Sequence, residues 1–114
     1  MQVKFLEEGQ RLIARPKGRM DAADGDDFAA AILKRLGAGT KSVTIDLDQL
    51  DFVNFGGIRA ILRLARSLKG AQKDLDFVGG SELVRDALDQ AGLDDFFPFT
   101  PPYISNRGTE HGTP

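Results

Sequence analysis

Val43-Thr44-Ile45-Asp46-Leu47-Asp48-Gln49-Leu50-Asp51-Phe52-Val53-Asn54-Phe55-Gly56-Gly57-Ile58 decides the fold. From Ser42 to Leu47, apolar and polar residues alternate and β-branched side chains abound, which predicts a strand half buried on one side. After Asp51-Phe52-Val53 the chain turns at Asn54-Phe55-Gly56-Gly57. Ile58, Ile61, Leu62, Ala65 and Leu68 then recur at helical spacing as far as Gly70. Strand, tight turn and helix follow one another with no long linker.

Working outward, the same alternation of elements continues. Leu75-Asp76-Phe77-Val78 reads as a strand that stops at Gly79-Gly80. Ser81 is placed to cap a further helix through Leu83, Val84, Ala87 and Leu88, ending at Gly92. Upstream, Asp21, Asp24, Asp26 and Asp27 precede Phe28, Ile32, Leu33 and Leu36, predicting a helix from about Asp24 to Leu36. Acidic residues at its start and Lys34-Arg35 near its end match the helix dipole. Gly37 fits the left-handed position just beyond the helix. Val3–Glu8 and Arg11–Met20 read as two strands joined by a turn at Glu8-Gly9-Gln10, with Pro16 and Gly18 marking an edge position or a bulge.

Strands alternating with helices imply right-handed crossovers and a largely parallel sheet, which the opening hairpin makes mixed. The expected architecture is a single small α/β domain over residues 1–99, with about four strands and three or four helices. The cluster Phe96-Phe97-Pro98-Phe99 is expected to cover the open end of the core. Residues 100–114, rich in proline and glycine, read as a disordered tail.

Composition excludes several function classes. The 114 residues suit one compact domain, and a net charge of −2 offers no basic excess for a nucleic-acid backbone. There is no cysteine, and the single histidine, His111, lies in the tail, so thiolate chemistry and histidine metal clusters are excluded. The start Met1-Gln2-Val3-Lys4-Phe5 reads as a strand, no run is long enough to span a bilayer, and a cytoplasmic location is expected. No nucleophile–base pair or flanked carboxylate pair is evident. Neither an enzyme nor a bound cofactor or metal is expected.

The decisive stretch resembles the centre of STAS domains, the bacterial anti-sigma factor antagonists, in which a strand leads to Asp-Ser-Ser-Gly-Leu opening a helix. Gly18-Arg19-Met20-Asp21-Ala22-Ala23 resembles the Gly-x-Leu-Asp-Ala-Ala segment of the same family. The order of elements agrees over residues 3 to 99. The resemblance implies a protein partner, an anti-sigma factor of the serine kinase type, and a monomer or weak homodimer.

The chain departs from the family at the switch itself. The second serine of that motif, which a partner kinase phosphorylates, is Gly56 here, the first is Phe55, and the aspartate is Asn54. No phosphorylation is expected at this site, so the usual block by about two added negative charges should be absent.

The resemblance places partner recognition on Asp21, Asn54, Phe55, Gly56, Gly57, Ile58, Arg59, Leu62 and Arg63. Each also has a plainer reading. Asn54-Phe55-Gly56-Gly57 is a docking loop, an anion site at a helix start, or simply a tight turn. Phe55 is an exposed anchor or core, with exposure favoured. Arg59, Arg63, Arg66 and Lys69 form a solvated face or a strip that docks an acidic surface. Ile58 and Leu62 belong to that surface or to the core, and Asp21 contacts the partner, caps a helix, or both. Asp24, Asp26 and Asp27 match the helix dipole better than a cation. The rival to regulation is a small STAS subunit of a lipid- or anion-transport complex, or a ligand-binding module.

Overall fold

In the computed structural model, residues 1–96 are described. The expectations for Phe97-Pro98-Phe99 and for the tail 100–114 lie outside the described residues. The elements run β1 (Gln2–Glu8), β2 (Arg11–Met20), α1 (Ala22–Arg35), β3 (Ser42–Asp46), β4 (Leu50–Val53), α2 (Phe55–Gly70), β5 (Asp74–Val78) and α3 (Glu82–Gln90), followed by a 3-10 turn at Asp94–Phe96.

The sheet has the order β1-β2-β3-β5, with β4 also against β2. Among the described residues only the β1–β2 hairpin is antiparallel; β2–β3, β2–β4 and β3–β5 are parallel. The mixed, mostly parallel α/β sheet is as expected, except that it holds five strands instead of about four. The additional strand, β4, is four residues long and was hidden in the lead-in to the Asn54 turn.

β2 is forked. Arg11–Ala14 pair with Ser42–Ile45 of β3, whereas Gly18–Met20 pair with β4 across a register shift between Gly18 and Arg19. Gly18 takes φ 104°, which only glycine adopts without strain. The bulge was expected there; the edge position was not correct. Pro16 is buried inside the sheet, in the gap between the two ladders, where a residue lacking an N–H is tolerated.

β3 is likewise more deeply placed than its alternation predicts. Val43, Thr44 and Ile45 are all buried because β3 lies between β2 and β5. The polar member is accommodated by a hydrogen bond: the Thr44 hydroxyl donates to Asp76 Oδ1 at 2.6 Å.

The helices need similar small corrections. α1 begins at Ala22, two residues before Asp24, because Asp21 caps it by accepting the Asp24 N–H. It ends through an extended Leu36 (φ −70°, ψ 131°), and Gly37 is not left-handed. On α3 the inward residues are Val84, Arg85 and Leu88, while Leu83 is 62% exposed instead of lining the core. The core joins Leu12, Ala14 and Met20 with Phe28, Ile32, Ile45, Ile61, Leu64, Leu68, Phe77 and Leu88. Each large side chain buried there stabilises the fold by roughly 1.5–3 kcal/mol. Phe96 meets Phe77 edge-on at 6.3 Å, so this first member of the terminal aromatic cluster does pack on the core.

Candidate functional site

The starts of α1 and α2 lie side by side. Asn54 N–H donates to the Met20 carbonyl at 3.0 Å, tying the end of β4 to the end of β2. The residue after Met20, Asp21, caps α1, and Asn54 itself caps α2. The two caps are thereby fixed relative to one another by a single backbone bond.

Asp21 makes a complete capping box. Its Oδ1 accepts from Asp24 N–H at 2.8 Å, and its own N–H donates to Asp24 Oδ2 at 3.4 Å. The Asp24 N–H is the main cause holding the Asp21 carboxyl below the ordinary aspartate range, against some desolvation. The plain role foreseen for Asp21 is therefore present, and its exposed position leaves it available to a partner as well. Asp24 also lies 3.8 Å from the amino terminus. Asp26 is engaged by Arg63, whose Nη2 donates to Oδ1 at 2.5 Å. The acidic cluster is thus used in capping and pairing, and no group of three or more metal-ligating side chains converges among the described residues.

On α2, Asn54 Oδ1 accepts from Gly57 N–H at 2.9 Å, consuming one of the donors an anion would need at this helix start. Phe55 is 74% exposed, the most exposed of the large hydrophobic residues among the described residues. Arg59, one turn on, lies 5.2 Å from its ring centroid, close enough for a cation–π contact. Ile58 and Leu62 are half-buried and pack against the core. Each thus packs on the core while part of its side chain stays at the surface. Arg63, Arg66 and Lys69 are exposed along the same helix, with Arg63 partly neutralised by Asp26.

Gly56 and Gly57 allow the two helices to approach. A Cβ at Gly56 would lie 2.5 Å from Ala22 Cβ, one at Gly57 2.7 Å from the Met20 carbonyl oxygen, and one at Gly25 2.8 Å from Ala60 Cβ. Real Cβ contacts are essentially never that short. Small residues on both helices were visible in the sequence, but not that they face each other.

Two further features escaped the sequence reading. Arg19 stacks on Phe52 at 4.7 Å from the ring centroid, beside the bulge. Arg19, Asp21, Asp24 and Asp51 also line an open polar depression next to the caps. The two bulge-flanking strands bring these residues together, and no local pattern announces it.

Comparison with known proteins supports the fold. A family model described as "Mlab, STAS domain" matches residues 6–101. A proposed anti-sigma factor antagonist of Bordetella bronchiseptica, BtrV, is 28% identical over 87 residues, covering 76% of this chain and 75% of BtrV. Among solved structures, an anti-sigma factor antagonist from Mycobacterium paratuberculosis superposes with a TM-score of 0.73 at 19% identity, over 88% of this chain and 85% of its own. Unphosphorylated SpoIIAA, an anti-sigma factor antagonist, gives 0.71 at 14% identity, over 99% and 100%. The chain also spans 20% of the length of the larger Mglu structure. No helix among the described residues is long and apolar enough to cross a membrane.

Proposed function

The chain belongs to the STAS-domain family, and from that premise we propose that it is a cytoplasmic regulatory module that docks on an anti-sigma factor of the serine kinase type. The observation that carries the proposal is Phe55. A large aromatic that is 74% exposed at a helix start costs solvation unless something covers it, and aromatics of this kind dominate interface energetics. Asp21 stands beside it on the neighbouring cap, and Arg59 flanks it on α2, so an apolar anchor is framed by charges of both signs.

We propose further that this domain is not switched by phosphate at the usual position. Gly56 has no hydroxyl, and Ala22 occupies the space a side chain would need. Binding is then constitutive or set by another route. As a binding module it needs no catalytic group and no cofactor.

The test is a tagged pull-down from the source cell, with parent and Phe55→Ala baits in parallel. Recovery of an ATP-binding anti-sigma kinase by the parent, and its loss with Phe55→Ala, is the expected result. Recovery of transporter subunits instead would replace this reading with the transport one. Incubating the recovered kinase and ATP with the chain should leave its intact mass unchanged.

A further inference from the structure

We propose that β1 is a self-complementary edge through which two copies of this chain form one continuous sheet. The inference is independent of the docking surface. β1 pairs along its whole length with β2 and is the terminal strand of the sheet, so among the described residues its outer backbone groups have no ladder partner. Such an edge is a template for another strand unless proline, a bulge or inward charge blocks it. β1 carries neither proline nor a bulge, and the one charge on its core-side face, Glu7, stays exposed at the end of the strand instead of pointing into the core.

The side chains specify the occupant. Alternation puts Gln2, Lys4, Leu6 and Glu8 on one face, all exposed, and Val3, Phe5 and Glu7 on the other, where Val3 and Phe5 pack on the core. Antiparallel pairing of two identical edges requires a two-fold axis normal to the sheet, which keeps each face with itself. Centring that axis on Lys4, Glu7 or Glu8 sets like charges opposite one another, which is unfavourable. Centring it on Phe5 pairs no opposite charges. Centring it on Leu6 places Lys4 opposite Glu8 twice, with Leu6, 42% exposed, against its symmetry mate.

The other face agrees with the same register. Phe5 then stands opposite Glu7 of the second copy. Arg35 from α1 already lies over the Phe5 ring, 4.0 Å from its centroid. It would therefore meet that glutamate as a counter-charge. One register satisfies both faces, and a second copy of this chain satisfies it without any foreign partner.

In this register five residues of each copy, Lys4–Glu8, lie opposite one another, which buries less than the ~1,200 Å² of a standard interface, so the dimer is weak and concentration-dependent. Sedimentation of the full chain from micromolar to millimolar concentration should show reversible self-association. Lys4→Glu and Glu8→Lys should each weaken it by about tenfold or more, because two cross-strand pairs turn repulsive. Mixed in equal amounts, the two variants should associate with each other, since every opposed pair is then complementary. A parent that stays monomeric throughout, or self-association that both variants retain, would overturn the proposal. Should either variant melt early by circular dichroism, hydrogen exchange on the parent decides: protection of β1 amides must rise with concentration, and constant protection refutes the edge.

Discussion

Gly56 and Ala22 are packed so closely that a Cβ on the former would stand 2.5 Å from the Cβ of the latter. The first turn of α2 is fitted to the first turn of α1 with no room between them. Gly56 is therefore a packing position.

Gly56→Ser and Gly56→Ala should each destabilise the domain by about 1–3 kcal/mol through overpacking. The better helix propensity of either residue, worth up to about 1 kcal/mol, offsets part of this. Adding Ala22→Gly should recover much of the loss. Thermal unfolding of the single and double variants measures it; a Gly56→Ser protein as stable as its parent would mean that the helices part freely.

Phe55→Ala should behave differently, because the ring is exposed. Stability should change by no more than about 0.5 kcal/mol, while affinity for the captured partner falls by about 2 kcal/mol or more. Calorimetric titration beside a melting curve separates the two effects. Unchanged affinity would move the docking surface away from α2.

Asp21 gives the fold an acid-sensitive component. Its folded pKa is depressed, chiefly by the Asp24 N–H. The stabilisation is complete above the unfolded value of about 3.9 and is lost as pH falls through the lower folded value. Asp21→Ala should lower stability at neutral pH by removing the cap. Asp21→Asn should keep most of the cap while flattening the acid limb, and urea melts at neutral and acidic pH will reveal either.

Thr44→Val tests the polar bond within the sheet. It keeps the shape but removes the hydroxyl that donates to Asp76, and a loss of about 1 kcal/mol is expected. Thr44→Ser should lose less. A Ser variant that loses as much as the Val variant would mean that the methyl contact contributes as much as the hydrogen bond.

Most of the fold was legible because its signals are local. The helical stripe of α2, the Ser81 cap and the turn at Gly9 each lie within a few residues of what they determine. What was missed depends on neighbours distant in sequence. β4 pairs at three positions across a shifted register, too few to impose alternation. Thr44 is buried by strands that arrive from both sides, and Gly37 sits beyond a helix that ends in extended backbone. The exposure of Phe55 was expected from its place in a turn. The same turn said nothing about Ala22, because only tertiary packing brings α1 alongside.

The fork in β2 has a consequence for how such a domain diversifies. Residues 11–14 are bound to the register of β3, and through it to β5, whereas residues 18–20 answer only to β4. The sheet scaffold and the end that carries the two helix caps share a strand without sharing a ladder. Within the segment from Gln49 to Phe55, the exposed Asp51 and Phe55 are therefore free to change while the buried Leu50 and Val53 and the frame behind them stay fixed.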